Sequence, residues 1–318
     1  MKCIRSGIVA AFLLLILPIE SLAVELIPVG KVIGLQLKSQ TMTVVAYDEV
    51  LGANARDSGL KIGDELLKIG DKTITSPEDI PSALGNSPVE LTVRRGGKLQ
   101  TLTLTPAQSR EGPKLGVYLR QGIAGIGTVT FYDPETGLFG TLGHGVCDGK
   151  GNLLEMTHGS AYEAAVLAIK KGKAGDPGQL KGSASEDGTI GTLLQNTPQG
   201  VFGKATTGWT GEALETATYE DIHTGKASIR STVSGDRPED YSVEILKIYP
   251  QTREDGRNFL LRVTDPELLD LTGGIVQGMS GSPIIQDGKL IGAVTHVLVN
   301  SADTGYGIFI GNMLSAVG

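Results

Sequence analysis

The chain is poor in residues that make crosslinks, aromatic stacks or cationic faces. It has 2 cysteines, Cys3 and Cys147, and aromatics fill only 5% of its 318 positions. Cys3 falls in an apolar N-terminal stretch and lacks a lipobox-like context, so lipidation is not expected. One thiol is left for the remainder, and no disulfide framework can hold the fold; stability has to come from a packed core. Basic residues are no surplus: 28 Lys and Arg stand against 35 Asp and Glu, for a net charge of −7. That balance excludes the basic footprint of a nucleic-acid binder or of an anionic-membrane face. No HExxH word or tight ligand cluster occurs, so neither a metal nor another cofactor is expected.

Long apolar runs are absent too, except at the start. Lys2 and Arg5 precede the apolar stretch Gly7 to Ile19, and Ser21 to Ala23 fit a small-residue cleavage site. The stretch falls short of the ~20 residues that span a bilayer comfortably. Residues 1–23 read as a cleaved export signal, with an uncleaved anchor as the alternative; either places the remainder outside the cytoplasm. What is plentiful is glycine, 45 residues spread between short β-branched runs. Frequent turns between short strands predict a mainly β protein.

Residues 28–106 form a first unit. An alternating run, "TMTVVAYDEV", precedes a short helix near Ala55 to Gly59, and "LKIGDELLKIGDKTI" reads as strands broken at Gly-Asp turns. Ser76 and Pro77 open a second helix, and "VELTVRRGGKLQTLTLTP" closes the unit as a hairpin. This order, with the words "DSGLKIGDELLKIGDKTI", resembles a small α+β PDZ domain of the bacterial protease-associated kind. The resemblance implies that Ile33, Gly34, Leu35, Gln36 and Leu37 form the loop that receives a peptide C-terminus, with a ligand strand added to the sheet edge. Residues 107–116, polar with a Gly-Pro, read as a linker. From 117 to 318 short β-like runs alternate with turns, a barrel or sandwich pattern. "AYEAAVLAIKKGK" fits either helix or strand.

Ser280 stands in "GMSGSP", ahead of two strands joined by an Asp287-Gly288 hairpin. Position 282 is serine and no helix pattern follows, so this is not the G-x-S-x-G elbow of α/β-hydrolases. The context resembles the nucleophile loop of chymotrypsin-like serine peptidases, with the amides of Gly278 and Ser280 as oxyanion donors. A glycine-rich β-turn with structural serines is the plainer alternative. A serine needs a base. Of 4 histidines, His144 lies between glycines after a strand and precedes Ser280 in the chain order of that fold. His158 and His223 sit in polar surroundings and read as solvated bystanders. Thr295, His296 and Val297, on the strand after the nucleophile hairpin, are expected by analogy to line the substrate site. Cys147 reads as a small buried hydrophobe. Met279, where trypsin-type zymogens carry an aspartate, predicts that activation uses no such ion pair.

The words "GIGTVTFYDPETGLFGTLGHGVCD" and "VTDPELLDLTGGIVQGMSGSPIIQDGKLIGAVTHVLVN" identify a closer likeness. They resemble the stage IV sporulation protein B peptidase family, serine endopeptidases with an N-terminal export segment and a PDZ domain. That resemblance implies a chymotrypsin-like double β-barrel over 117–318, with His144 as base, Ser280 as nucleophile and Asp265 as the acid. The residues themselves leave the acid open: Asp265 also suits an N-cap before Pro266, and Asp148 is a local competitor. The resemblance further implies export from a forespore into the intermembrane space and self-cleavage near the N-terminus. Its expected partner is a membrane-bound regulator of an intramembrane metalloprotease, whose cleavage activates a late sigma factor. An inactive exported PDZ adaptor is the rival reading.

Overall fold

The computed structural model describes residues 24–253 and 255–317; the export segment expected at residues 1–23 lies outside them. In chain order the first elements are β1 (Glu25–Pro28), β2 (Val32–Tyr47), α1 (Ala53–Asp57), β3 (Glu65–Ile69), β4 (Lys72–Thr73), α2 (Asp79–Ala83), β5 (Val89–Arg95), β6 (Lys98–Leu104), β7 (Ala107–Ser109), β8 (Gly112–Lys114) and β9 (Val117–Tyr132). Then come β10 (Leu138–Thr141), β11 (Met156–Lys170), β12 (Gln179–Thr197), β13 (Gly200–Ala205) and β14 (Leu214–Glu215). The last third holds β15 (Gly225–Ser231), β16 (Glu239–Ile248), β17 (Phe259–Val263), α3 (Pro266–Thr272), β18 (Pro283–Gln286), β19 (Lys289–Leu298), β20 (Ser301–Phe309) and α4 (Ile310–Val317).

Two closed β systems result, as a double-barrel fold requires. β15-β16-β17-β20-β19-β18 close into an antiparallel barrel. The order β9-β10-β13-β12-β11-β2 closes as well, because β2 also pairs with β9 along Val32↔Thr128 to Leu37↔Ile123. Closure removes the exposed edges that long strands would otherwise offer. Each barrel has its own apolar filling. Ile33, Leu35, Leu37, Val129, Phe139 and Val201 fill the first, and Val243, Phe259, Leu261, Ile284, Val294 and Ile308 the second. The ambiguous alanine-rich stretch is strand β11: Gly159 and Ala161, then Ala164 and Val166, are buried two apart, with a shift of register between the pairs.

The PDZ unit grows out of the first barrel. β2 runs straight through both: Leu35 and Leu37 pack in the barrel, whereas Met42 and Val44 join Leu60, Leu66, Ile69, Leu91 and Val93 in a separate core. Within that core Asp64, almost fully buried, accepts two of the three guanidinium hydrogen bonds of Arg95, at 2.7 and 2.6 Å. The boundaries expected from sequence, a PDZ domain at 28–106 and a barrel from 117, therefore cut the first barrel strand away from its barrel. Residues 107–116 are not a bare linker but carry the β7–β8 hairpin.

This arrangement corrects the expected peptide loop. Ile33, Gly34, Leu35, Gln36 and Leu37 lie in the first half of β2, paired to β9 on one side and to β11 on the other. A strand with both edges paired offers no amides to a peptide end, and Ile33, Leu35 and Leu37 are core residues.

Candidate active site

Ser280 lies between α3 and β18, in a loop whose shape its glycines set. Gly278 has φ 101° and Gly281 φ 96°, a region that favours glycine. A methyl on Gly281 would collide with the Thr128 carbonyl and the Leu142 amide, so the loop sits directly on the first barrel. Backbone bonds pin it on every side. Met279 N–H donates to Val276, Gly281 N–H to Val294 at 2.8 Å, and Ser282 N–H to Met279. Ser282 Oγ also donates to the Met279 carbonyl and lies 2.9 Å from Ser231 Oγ. Among the described residues the amides of Gly278 and Ser280 donate to no acceptor. Two free N–H groups held in a fixed loop are what a developing oxyanion requires.

Thr128, on β9, was not anticipated from sequence. Its hydroxyl donates to the Gly278 carbonyl at 2.9 Å and its N–H to the Ser280 carbonyl at 3.0 Å. It is fully buried and ties the nucleophile loop to the other barrel. The only available signal was its place in "GIGTVTF", where threonines alternate with apolar residues in a strand buried on both faces.

His144 follows a strained turn. Leu142 has φ 69° although it carries a side chain, and Gly143, φ 68°, donates back to Thr141 at 2.9 Å. A left-handed non-glycine residue costs about 1–3 kcal/mol and persists only where its surroundings impose it. Gly143 lies against the Thr295 methyl and Ala293, with no room for a side chain, which brings the turn onto β19. His144 and Ser280 thereby line one cavity of about 310 Å³ with Leu35, Leu37, Ile123, Ile126, Leu142, Val146 and Gln277.

Within that cavity His144 and Ser280 are not hydrogen-bonded to each other. Ser280 Oγ donates to the Thr295 carbonyl at 2.8 Å, and His144 Nδ1 lies 2.9 Å from the Gly145 carbonyl. That carbonyl only accepts, so Nδ1 carries the proton and Nε2 keeps its lone pair, the form a general base needs. Burial pushes the His144 imidazole below its ordinary pKa, and the Gly145 carbonyl offsets part of the shift. The ring is therefore neutral at neutral pH.

The structure does not bring Asp265 to His144. As the N-cap of α3, Asp265 accepts from the N–H of Glu267 and Leu268 on one oxygen and of Ser242 on the other. Pro266 and the left-handed Gly273 bound that helix as expected. Asp148 closes its own turn, accepting from Lys150 and Asn152. Among the described residues no carboxylate is bonded to the His144 ring.

Of the expected substrate residues, Thr295, His296 and Val297 lie on β19 beyond Ala293, where pairing with β18 ends. His296 faces His144, with ring centroids 5.1 Å apart and planes tilted by 38°. Cys147 is exposed at the cavity mouth, not the buried hydrophobe expected of it, because the loop after Gly145 turns outward. Met279 is fully buried and takes no charged partner. His223 is an exposed partner of Asp287, and His158 pairs with Lys38 in the sheet, both apart from the cavity. No His, Cys, Asp or Glu side chains gather in a metal-binding group of three among the described residues.

Residues 31–105 match the PDZ domain family. Over 75 residues the chain is 39% identical to the serine protease Do-like HtrA of Lactococcus lactis subsp. cremoris, covering 22% of this chain and 18% of that protein. It is 29% identical over 99 residues to a putative zinc metalloprotease of Bartonella henselae, 29% of this chain and 27% of that one. The chain thus spans no more than about a quarter of the length of the curated relatives it matches. The inactive form of the Rv3671c protease superposes with a TM-score of 0.36 at 16% identity, over 62% of this chain and 85% of that one. With residues 111–314 matching the family described as SpoIVB peptidase S55, the chain belongs to that family and carries a PDZ unit within it.

Proposed function

We propose that the protein is a serine endopeptidase in which Ser280 attacks a peptide carbonyl, His144 Nε2 takes its proton, and the amides of Gly278 and Ser280 hold the oxyanion. One observation carries the reading: His144, Gly278 and Ser280 line a single cavity, and the amides of Gly278 and Ser280 are unoccupied while those of Gln277, Met279, Gly281 and Ser282 are committed elsewhere. Ser280 has only to turn from the Thr295 carbonyl, which frees that carbonyl to accept an N–H from a substrate strand laid along β19. The cavity wall is apolar, Leu35, Leu37, Ile123, Ile126, Leu142 and Val146, with no charged side chain. It suits an aliphatic residue beside the scissile bond.

Family membership and the export-like N-terminus support a finer reading. The protein acts after export from a forespore, cleaves itself near its N-terminus, and cuts a membrane-associated regulator so that intramembrane proteolysis activates a late sigma factor. The turn of Ser280 away from His144 favours one rival, an exported PDZ adaptor without activity. Incubating the full chain and its Ser280→Ala variant with an unfolded protein, then mapping new N-termini, separates the two. Cuts beside aliphatic residues that vanish in the variant are expected; no cuts, or cuts that survive Ser280→Ala, contradict the endopeptidase reading.

A further inference from the structure

Four buried side-chain atoms lack a hydrogen-bond partner among the described residues; two of them, Thr295 Oγ1 and His296 Nδ1, are neighbours on β19, and a third, Arg257 Nε, belongs to a side chain lying over Tyr306, the strand partner of His296. An unpaired buried polar atom costs about 1–3 kcal/mol, so such a cluster calls for a reason. His296 is the telling member. Its Nδ1 is buried and unpaired, its Nε2 is not buried, and its ring stands 5.1 Å from that of His144. Water can take a hydrogen on Nε2, which leaves Nδ1 as a bare lone pair next to the base.

We propose, on the endopeptidase reading above, that His296 is the positioning residue of His144: its Nδ1 accepts the Nδ1–H of His144 when that ring turns off the Gly145 carbonyl to meet Ser280. In the structure both groups are parked on backbone carbonyls, Ser280 on Thr295 and His144 on Gly145. A centroid separation of 5.1 Å lets a rotated imidazole place nitrogen within about 3 Å of nitrogen. In the productive form the proton of Ser280 Oγ passes to His144 Nε2. The imidazolium so formed keeps its Nδ1 proton, now held by His296, and no proton leaves the pair.

The device needs His296 neutral while His144 cycles. The charged or titratable groups facing it are His144 from the first barrel, Arg257 and Asp255 from the segment before β17, and Tyr306 across the strand pair on β20. Burial, then the positive charge of His144 and of Arg257, hold His296 down to about 4, against a smaller opposing effect of Asp255. It stays an acceptor across the range in which His144 works.

The test measures kcat and KM of the full chain on a peptide substrate between pH 5 and 9, for wild type, His296→Phe and His296→Asn. Phe keeps a ring and removes both nitrogens; Asn restores an acceptor. The expected result for His296→Phe is a kcat lower by about tenfold or more, KM within about twofold, and an acid limb moved to lower pH because the imidazolium has lost its acceptor. His296→Asn recovers much of the kcat and moves the limb back. The proposal is overturned if His296→Phe keeps wild-type kcat and limb, or if Phe and Asn lose kcat alike with the limb unmoved. If His296→Phe does not fold, His296→Asn against His296→Leu decides by the same limb. Failure of the endopeptidase reading looks different: wild type itself would be inert.

Discussion

Replacing Thr128 by valine keeps the shape of a fully buried side chain and deletes one hydroxyl. That hydroxyl donates to the Gly278 carbonyl, whose peptide plane lies between the two oxyanion amides. The backbone bond from Thr128 N–H to the Ser280 carbonyl survives, as does the Gly281 bond to Val294. One of several restraints is lost, so the loop should loosen without collapsing. Losing a hydrogen bond of this kind costs about 1–2 kcal/mol of stability, a drop of roughly 2–6 °C in melting temperature for a domain of this size. Complete loss of an oxyanion donor would cost about 2.7–4 kcal/mol of transition-state stabilisation. A loosened one should cost about 1.4 kcal/mol, or about tenfold in kcat, with KM little changed. Thr128→Ser should restore both. Kinetics on a peptide substrate beside thermal melts decide the matter. A Thr128→Val protein that melts lower but turns over at the wild-type rate refutes the idea that this clamp shapes the oxyanion site.

Gly281→Ala combines φ 96° with a collision against backbone of the other barrel, so it should cost upward of about 3 kcal/mol; Gly288→Ala, at φ 78° but with open space, should cost only about 1–2, as circular-dichroism melts will show. Activity should fall at low pH with a midpoint below 6.5, since burial depresses His144 and only its neutral form is a base; a pH–rate profile with a midpoint above 6.5 would contradict that. Stability follows the same sign at His296. Its folded pKa of about 4 lies below the unfolded 6.5, so stability is full above pH 6.5 and declines toward pH 4, testable by urea melts in which His296→Phe shows a weaker decline. Asp265→Ala should lose about 1 kcal/mol through the α3 cap, read as a lower melting temperature.

How much of this was legible in the sequence depended on how local each signal was. The Ser280 loop was readable because its glycines and the strands after it are contiguous. His144 stood out only once Ser280 gave it a partner. The α3 cap could be read because Asp265, Pro266 and Gly273 mark both helix ends. β2 misled because one strand serves both cores: its inward side changes phase from Leu35 and Leu37 to Met42 and Val44 where its pairing with β9 shifts register, and nothing local says that Leu37 and Met42 face different interiors. β11 stayed ambiguous because alanines suit both periods until a partner strand selects one. Thr128 and His296 were hidden for another reason. Their roles arise from contacts across the two barrels, which no spacing along the chain records.

The central claim is that one hydroxyl, Ser280 Oγ, is a nucleophile activated by His144. Treating the full chain with a fluorophosphonate probe and locating the adduct by peptide mass spectrometry tests it most directly. The account predicts a single adduct on Ser280, absent from Ser280→Ala and strongly reduced in His144→Ala. No adduct on the folded protein, or one that persists in Ser280→Ala, would contradict it.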